Sequence, residues 1–170
     1  VDAFIENDAE FFTSIDTVSI VNIAGSNEED YINTVKKLND TKINIFEINL
    51  SCPNVKEGSK VFGSSPGAVA SIVSKIKKVS KKPIWVKLTP NTSSITEAAI
   101  AAEEAGADGI SLINTLLGLN VDIMSRRPVI KNNYAGYSGP GIKPVALCMV
   151  NQVYNKVKIP VIGIGGIMCA

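Results

Sequence analysis

Residues 43–54 read INIFEINLSCPN, an apolar run that passes directly into a turn carrying a thiol and two amides. The run from Ile43 to Ile48 has the composition of a buried strand. Pro53 lacks a backbone N–H and disfavours helical dihedrals at Cys52, so the strand is expected to end here and a loop to begin. Loops at the carboxyl ends of parallel strands carry the chemistry of α/β folds. This stretch therefore predicts an α/β fold with its site around Cys52.

The alternative interpretation of this turn is structural, with Cys52 as an inert buried thiol and the asparagines beside it as turn formers. The chain contains no histidine, so any proton transfer within it has to use cysteine, lysine, tyrosine or a carboxylate. This makes Cys52 the leading candidate for acid–base chemistry.

Composition narrows the class of protein. The 170 residues are 45% hydrophobic, with 17 basic and 16 acidic side chains and a formal net charge of +1. We expect one soluble globular unit without a charge excess for nucleic acid or a membrane surface, and no apolar run reaches the roughly 18 residues of a transmembrane helix. The cysteines, Cys52, Cys148 and Cys169, are too few and scattered for a disulfide framework or a metal site, which favours a reducing, cytoplasmic environment.

Apolar runs and helical periodicity alternate along the chain. Strands are predicted at residues 18–24, 43–49, 84–88, 110–115 and 159–164, and helices at 28–38, 66–79, 95–105 and 143–156. Residues 116–137 have no clear periodicity and are expected to form an excursion over the mouth of the sheet.

The order of these segments predicts right-handed βαβ crossovers in a parallel sheet. Polar or glycine residues recur where strands end, which is typical of the active face of a (β/α)8 barrel: Asn22, Asn49, Asn114, Gly139 and Gly165. A complete barrel takes about 250 residues. Residues 1–170 are therefore expected to be the interior part of a single barrel domain, a partial (β/α)8 TIM barrel lacking the first two strands and the last.

Two further features indicate an anionic ligand. Alternation along residues 84–88 points Lys87 into the barrel, where a lysine is costly unless a negative or hydrogen-bonding group receives it. An ion pair with Glu47 on the neighbouring strand is the structural alternative. Glycine turns at 138–141 (SGPG) and 163–166 (GIGG) expose backbone N–H groups as barrels do to bind phosphate, although glycines also merely end strands.

Five motifs together resemble class 1 dihydroorotate dehydrogenases: NLSCPNV (49–55), VKL (86–88), INT (113–115), SGPGIKP (138–144) and GIGGI (163–167). The resemblance covers nearly all of the chain, most clearly from Val18 onward. The resemblance is greatest to the B subtype at residues 55–58 (VKEG), Phe62-Gly63 and 138–140 (SGP). The resemblance implies an FMN-carrying catalytic subunit whose partner subunit holds FAD and an iron–sulfur cluster and passes electrons to NAD.

The resemblance also implies roles for individual residues. Cys52 corresponds to the base that takes the C5 proton of dihydroorotate while a hydride leaves C6 for the flavin. Asn49, Asn54, Asn114 and Thr115 correspond to groups that pair with the pyrimidine ring. FMN contacts are implied for Asn22, Asn49, Lys87, Ile113, Gly139, Gly165 and Gly166, and no metal ligand is implied.

The preferred function is oxidation of dihydroorotate to orotate in de novo pyrimidine synthesis. The resemblance implies a cytoplasmic homodimer assembled with the FAD and iron–sulfur subunit, with no nucleic acid or membrane partner. Two alternatives stay open. A related FMN barrel acting on uracil-type bases, as in dihydropyrimidine dehydrogenase, would share Cys52 and the asparagines, and a non-catalytic remnant would keep the barrel without turnover.

Overall fold

The strands and helices come from a computed structural model, which describes residues 1–51, 63 and 65–169. The helices are α1 (Asp2–Asn7), α2 (Ala9–Ser14), α3 (Glu28–Leu38), α4 (Pro66–Val79), α5 (Ile95–Glu104) and α6 (Lys143–Tyr154), the last preceded by a 3-10 turn at Pro140–Ile142. The strands are β1 (Ile20–Ile23), β2 (Ile45–Asn49), β3 (Ile84–Lys87), β4 (Gly109–Leu112), β5 (Leu116–Leu119), β6 (Val121–Asp122), β7 (Arg127–Pro128), β8 (Tyr134–Tyr137) and β9 (Val161–Gly163).

Five parallel strands form the central sheet, in the order β1-β2-β3-β4-β9. A helix lies between each strand of this sheet and the next, as parallel crossover connections require. The predicted α/β class is confirmed, and the sheet with its helices corresponds to part of a (β/α)8 barrel.

The two faces of the sheet differ in chemistry because side chains alternate along a strand. On β2, Phe46 and Ile48 are fully buried, whereas Glu47 and Asn49 on the other face are half-buried. The strand β3 repeats this alternation. The apolar face belongs to the same core as the inner stripe of α4, formed by Val69, Ile72, Val73 and Ile76. The other face is left to carry polar groups.

Helix starts follow from their caps. Asn27, Ser65 and Ser94 each accept a hydrogen bond from the backbone N–H three residues on, at the starts of α3, α4 and α5. The predicted bounds of α3 are confirmed, while α5 and α6 end slightly earlier than the periodicity indicates. Within the residues described, no helix has the length and apolar character needed to cross a membrane.

The strands of the central sheet are shorter than predicted, because apolar residues extend beyond the paired segment at one or both ends. The strand predicted at 110–115 covers only Gly109–Leu112. After it, the backbone N–H of Ile113 donates to Ile164 O at 2.9 Å and that of Asn114 to Leu88 O at 3.0 Å. These bonds join residues 113 and 114 to the segments that directly follow β9 and β3, and so hold them at the carboxyl edge of the sheet.

The excursion predicted at residues 116–137 contains strands that the sequence pattern did not predict. Here β5 pairs with β8 and β6 with β7, both antiparallel. Most residues of these strands are exposed, so no buried face imposes an apolar alternation on the sequence. Asn91 holds the start of β5, accepting from Leu117 N–H at 3.0 Å and donating to Thr115 O at 2.9 Å.

Candidate active site

The carboxyl edge of the sheet brings together residues that the sequence analysis selected from separate segments. Asn49 and Lys87 are the last residues of β2 and β3 and are partners in the register. Asn114 and Thr115 follow β4 directly, and the bond from Ile113 to Ile164 joins this segment to the turn after β9. The predicted residues on these neighbouring strands therefore share one edge.

A chain of hydrogen-bonded side chains runs along the inner face of the sheet. The carboxylate of Glu47 accepts from Asn22 Nδ2 at 2.5 Å and from Ser111 Oγ at 2.6 Å. Asn22 Oδ1 accepts from Asn49 Nδ2 at 3.4 Å, and Asn49 Oδ1 accepts from Asn114 Nδ2 at 3.1 Å. The three predicted asparagines that the structure describes thus form one network.

Backbone groups hold the Asn49 end of this network. The N–H of Ser51 donates to Asn49 Oδ1 at 3.2 Å, and the N–H of Thr115 donates to Asn114 Oδ1 at 2.7 Å. The Tyr31 hydroxyl donates to the carbonyl oxygen of Asn49 at 2.8 Å. Both the backbone and the side chain of Asn49 are therefore fixed before any ligand binds.

Lys87 is half-buried, and its ammonium makes no hydrogen bond or ion pair with any residue that the structure describes. The alternative of an ion pair with Glu47 is not realised, since that carboxylate is engaged by Asn22 and Ser111. Lys87 instead lines a cavity of about 460 Å³. A partly buried cation facing a cavity is favourable when the ligand is anionic.

The 460 Å³ cavity lies between the end of β3 and the two predicted glycine turns. Its walls include predicted cofactor and substrate residues: Lys87, Ile113, Asn114, Thr115, Gly139, Gly165 and Gly166. A larger cavity of about 640 Å³ lies beside β1 and is lined mainly by apolar residues of segment 1–24. The predicted cofactor residue Asn22 lines this larger cavity and not the smaller one. The polar groups that could orient a ligand favour the smaller cavity.

The glycine turns form a cradle made of backbone. Gly139, Gly165 and Gly166 have φ angles of 96°, 126° and 71°, which non-glycine residues rarely adopt. A Cβ at Gly166 would lie 2.7 Å from Gly139 O and 2.9 Å from the backbone N of Lys143, the first residue of α6. The turns therefore meet at a helix N-terminus, where N–H groups and the helix dipole favour a phosphate. With Lys87 on the same cavity, the donor set fits an anionic, phosphorylated ligand.

Two contributors to the site were not predicted in their present roles. Ser111 is fully buried, and its hydroxyl is satisfied by Glu47. Asn91 positions Thr115 because its Nδ2 donates to the carbonyl oxygen of Thr115 while its Oδ1 accepts from the N–H of Leu117. The available signal was a lone serine within the apolar run 110–113, because a buried hydroxyl requires a partner.

The predicted base Cys52 and the predicted substrate residue Asn54 lie outside the described residues. Leu50 precedes these two residues and Gly63 follows them, and the N–H of Gly63 donates to Leu50 O at 3.0 Å. A Cβ at Gly63 would lie 2.9 Å from that same oxygen. Residues 50 and 63 are therefore adjacent, beside Asn49 at the end of β2.

Lys82 lies at the opposite, amino end of the sheet. Burial lowers its pKa, and its ammonium donates to the carbonyl oxygens of Thr41 and Ile43 before β2. The amino-terminal face of a barrel serves stability, whereas the carboxyl face carries the chemistry. Lys82 is therefore structural, in contrast to Lys87.

Comparisons with known proteins agree with the motifs. A model of the family described as dihydroorotate dehydrogenase matches residues 2–170. Similar curated proteins include the dihydroorotate dehydrogenase B (NAD(+)) catalytic subunit of Alkaliphilus metalliredigens, 54% identical over 168 residues, which are 99% of this chain and 56% of that protein. The protein of the same name from Alkaliphilus oremlandii is 52% identical over 167 residues, which are 98% of this chain and 55% of that protein. The one from Lachnoclostridium phytofermentans is 48% identical over 170 residues, which are 100% of this chain and 57% of that protein.

The chain spans little more than half the length of these curated relatives. Within that span the similarity is continuous and reaches well beyond the five motifs. The predicted resemblance to the B subtype is confirmed by the names of these relatives. The chain belongs to the dihydroorotate dehydrogenase family.

Proposed function

We propose that residues 1–170 are the interior part of a single FMN-binding barrel, in the catalytic subunit of a dihydroorotate dehydrogenase of the B subtype. The enzyme oxidises dihydroorotate to orotate, and its electrons pass on to NAD+. The names of the relatives support this activity. The observation that carries the proposal is Lys87, a cation that lines the cavity of the glycine turns without a partner among the described residues.

The proposed FMN site follows from the charges of the cavity. Lys87 supplies positive charge near the flavin ring, while Gly139, Gly165 and Gly166 offer backbone N–H groups to the phosphate. Asn22 and Ile113 complete the proposed set, the latter through its backbone. When bound, FMN supplies the electron acceptor for the oxidation, and the protein supplies binding and electrostatics.

The proposed substrate site lies along the asparagine network. Asn49 and Asn114 are held by backbone groups in fixed orientations, so they bind the pyrimidine ring without first having to reorganise. Thr115 lines the 460 Å³ cavity together with Asn114. Asn54 is included among the proposed substrate residues because of the sequence motif alone. Each amide of this network keeps an N–H group for a ligand, which suits the carbonyl oxygens of the pyrimidine.

The proposed role of Cys52 is to take the C5 proton of dihydroorotate. A free thiol has a pKa near 8.5, so its surroundings must favour the thiolate or assist the transfer. The sequence contains no histidine, which leaves Cys52 as the residue of the motif that is suited to act as a base near neutral pH.

The words "catalytic subunit" in the names of the relatives support a separate partner subunit. We propose a homodimer that associates with a second subunit carrying FAD and an iron–sulfur cluster, which transfers the electrons to NAD+. Since NAD+ is the proposed final acceptor, the assembly belongs in the cytoplasm.

The test uses the full-length protein, purified with its native flavin. We expect the absorbance of bound FMN and its anaerobic bleaching by dihydroorotate, with dihydrouracil far slower. A protein that neither contains nor takes up FMN would refute the cofactor assignment. A flavoprotein that dihydrouracil reduces as fast as dihydroorotate would refute the substrate.

A further inference from the structure

Glu47 is the carboxylate of the side-chain network described above, and it decides which groups donate the hydrogen bonds around it. An ionised carboxylate accepts hydrogen bonds and cannot donate them. The two groups that face it must therefore be donors, as Asn22 Nδ2 at 2.5 Å and Ser111 Oγ at 2.6 Å are. The orientation of the Asn22 amide is thus fixed by Glu47, since the reversed amide would place two acceptors against each other.

The orientation of Asn22 agrees with that of the next two asparagines. With its NH2 group on Glu47, Asn22 presents Oδ1 to Asn49 Nδ2 at 3.4 Å. Backbone N–H groups fix Asn49 and Asn114 independently in the same sense. The side-chain amides of Asn22, Asn49 and Asn114 therefore donate in the same direction along the network, and Glu47 is its final acceptor.

This common direction decides what the chain can offer to a ligand. The amide oxygens of Asn22, Asn49 and Asn114 each accept at least one bond from within the protein, and that of Asn49 accepts two. Each NH2 group donates one of its two hydrogens to the network, so the second remains for a ligand. The network therefore offers a ligand mainly N–H donors.

We infer that Glu47 is a positioning residue that holds Asn22 in the orientation that backbone N–H groups give to Asn49 and Asn114. The three amides then form an array of N–H donors, selective for oxygen acceptors over amino groups at the same edge of the ligand. The inference rests on the function proposed above, in which these asparagines contact substrate and flavin. Orotate fits the array, because its carbonyl oxygens and its carboxylate are acceptors. A pyrimidine with an amino group in place of a carbonyl oxygen would set an N–H donor against an N–H donor.

Glu47→Gln separates this role from simple packing. Glutamine has nearly the same shape, but its amide contains both a donor and an acceptor, so Asn22 is free to reverse. The reversed Asn22 would set its NH2 group against Asn49 Nδ2 and disturb the amide of a proposed substrate residue. We expect orotate to bind roughly 10- to 100-fold more weakly, as when one group of a polar site is mismatched. The preference for orotate over its 4-amino analogue should shrink by a similar factor.

The experiment measures the dissociation constants of orotate, of its 4-amino analogue and of FMN for the full-length protein, together with thermal stability. Glu47→Asp keeps an acceptor-only group and should retain the wild-type preference even if both pyrimidines bind more weakly. Glu104→Gln, at an exposed position on α5, is the matched control and should change nothing. A purely structural Glu47 would alter stability without altering the ratio of the two affinities.

A wild-type ratio in folded Glu47→Gln overturns the inference while leaving the proposed function intact. Failure of the wild-type protein to bind orotate refutes the proposed function, and the inference with it. Should Glu47→Gln not fold, Asn22→Ala at an exposed position removes the same donor and should narrow the preference in the same way. An unchanged ratio in that variant equally overturns the inference.

Discussion

Gly166 lies directly against Gly139, since a Cβ at Gly166 would stand 2.7 Å from the carbonyl oxygen of Gly139. Gly166 also has a φ of 71°, so alanine there combines a steric clash with backbone strain of roughly 1–3 kcal/mol. We expect Gly166→Ala in the full-length protein to separate the two turns and weaken FMN binding at least tenfold. Flavin fluorescence during titration of the apoprotein measures this loss.

Gly67→Ala is the matched control for that substitution. Gly67 lies in the first turn of α4, and a Cβ there would meet no heavy atom within 4 Å. Flavin affinity should be unchanged, while stability should stay the same or rise by about 0.5–1 kcal/mol, because alanine is the better helix former. Equal flavin affinity in both alanine variants would contradict the assignment of the glycine turns to the phosphate.

Lys87→Gln tests the charge of the cavity. Hydrogen bonds to charged groups contribute about 1.5–3 kcal/mol, so the loss of the Lys87 ammonium should weaken FMN binding roughly 10- to 100-fold. The flavin that still binds should be harder to reduce, because a nearby cation stabilises the reduced anion. Both the dissociation constant and the reduction potential are measured, with Lys78→Gln on the exposed face of α4 as control. A wild-type potential in Lys87→Gln would exclude the cation from the flavin ring.

The helices and the positions of the strands could be predicted because their causes are local. Asn27 before an acidic first turn determines the start of α3, and Ser65-Pro66 that of α4. Asn49 and Lys87 could be placed at one edge because the carboxyl ends of parallel strands meet there. These conclusions need only the spacing of residues along the chain.

The side-chain network could not be predicted, because it depends on the register between strands. The sequence suggests Glu47 only as a partner for Lys87, yet the register sets Glu47 opposite Asn22 and within reach of Ser111. A difference of one residue in pairing would have exchanged these partners. The paired strands within 116–137 escaped prediction for another reason, since their exposed residues leave no apolar pattern.

The 170-residue polypeptide expressed alone should self-associate. β1 is an edge strand, and Val18 and Ile20 at this edge are 61% and 45% exposed, beside the apolar 640 Å³ cavity. Exposed apolar edges pair with other chains, and a charge on the edge discourages such pairing. Ile20→Lys should therefore reduce association in light scattering, whereas Leu147→Lys, on exposed α6 surface, should not. A monomeric wild-type polypeptide would contradict this expectation.

Cys52 is the residue on which the proposed chemistry depends. In the full-length enzyme, Cys52→Ser should retain FMN and orotate but lose flavin reduction by dihydroorotate, because a serine hydroxyl is a far weaker acid than a thiol. General-base assistance contributes about 10²–10⁴-fold, and the loss at neutral pH should fall in this range, with a residual rate that rises with pH. Cys148→Ser, on the exposed surface of α6, should react like wild type. Anaerobic stopped-flow absorbance follows the bleaching directly, and equal rates for Cys52→Ser and wild type across the pH range would exclude Cys52 as the base.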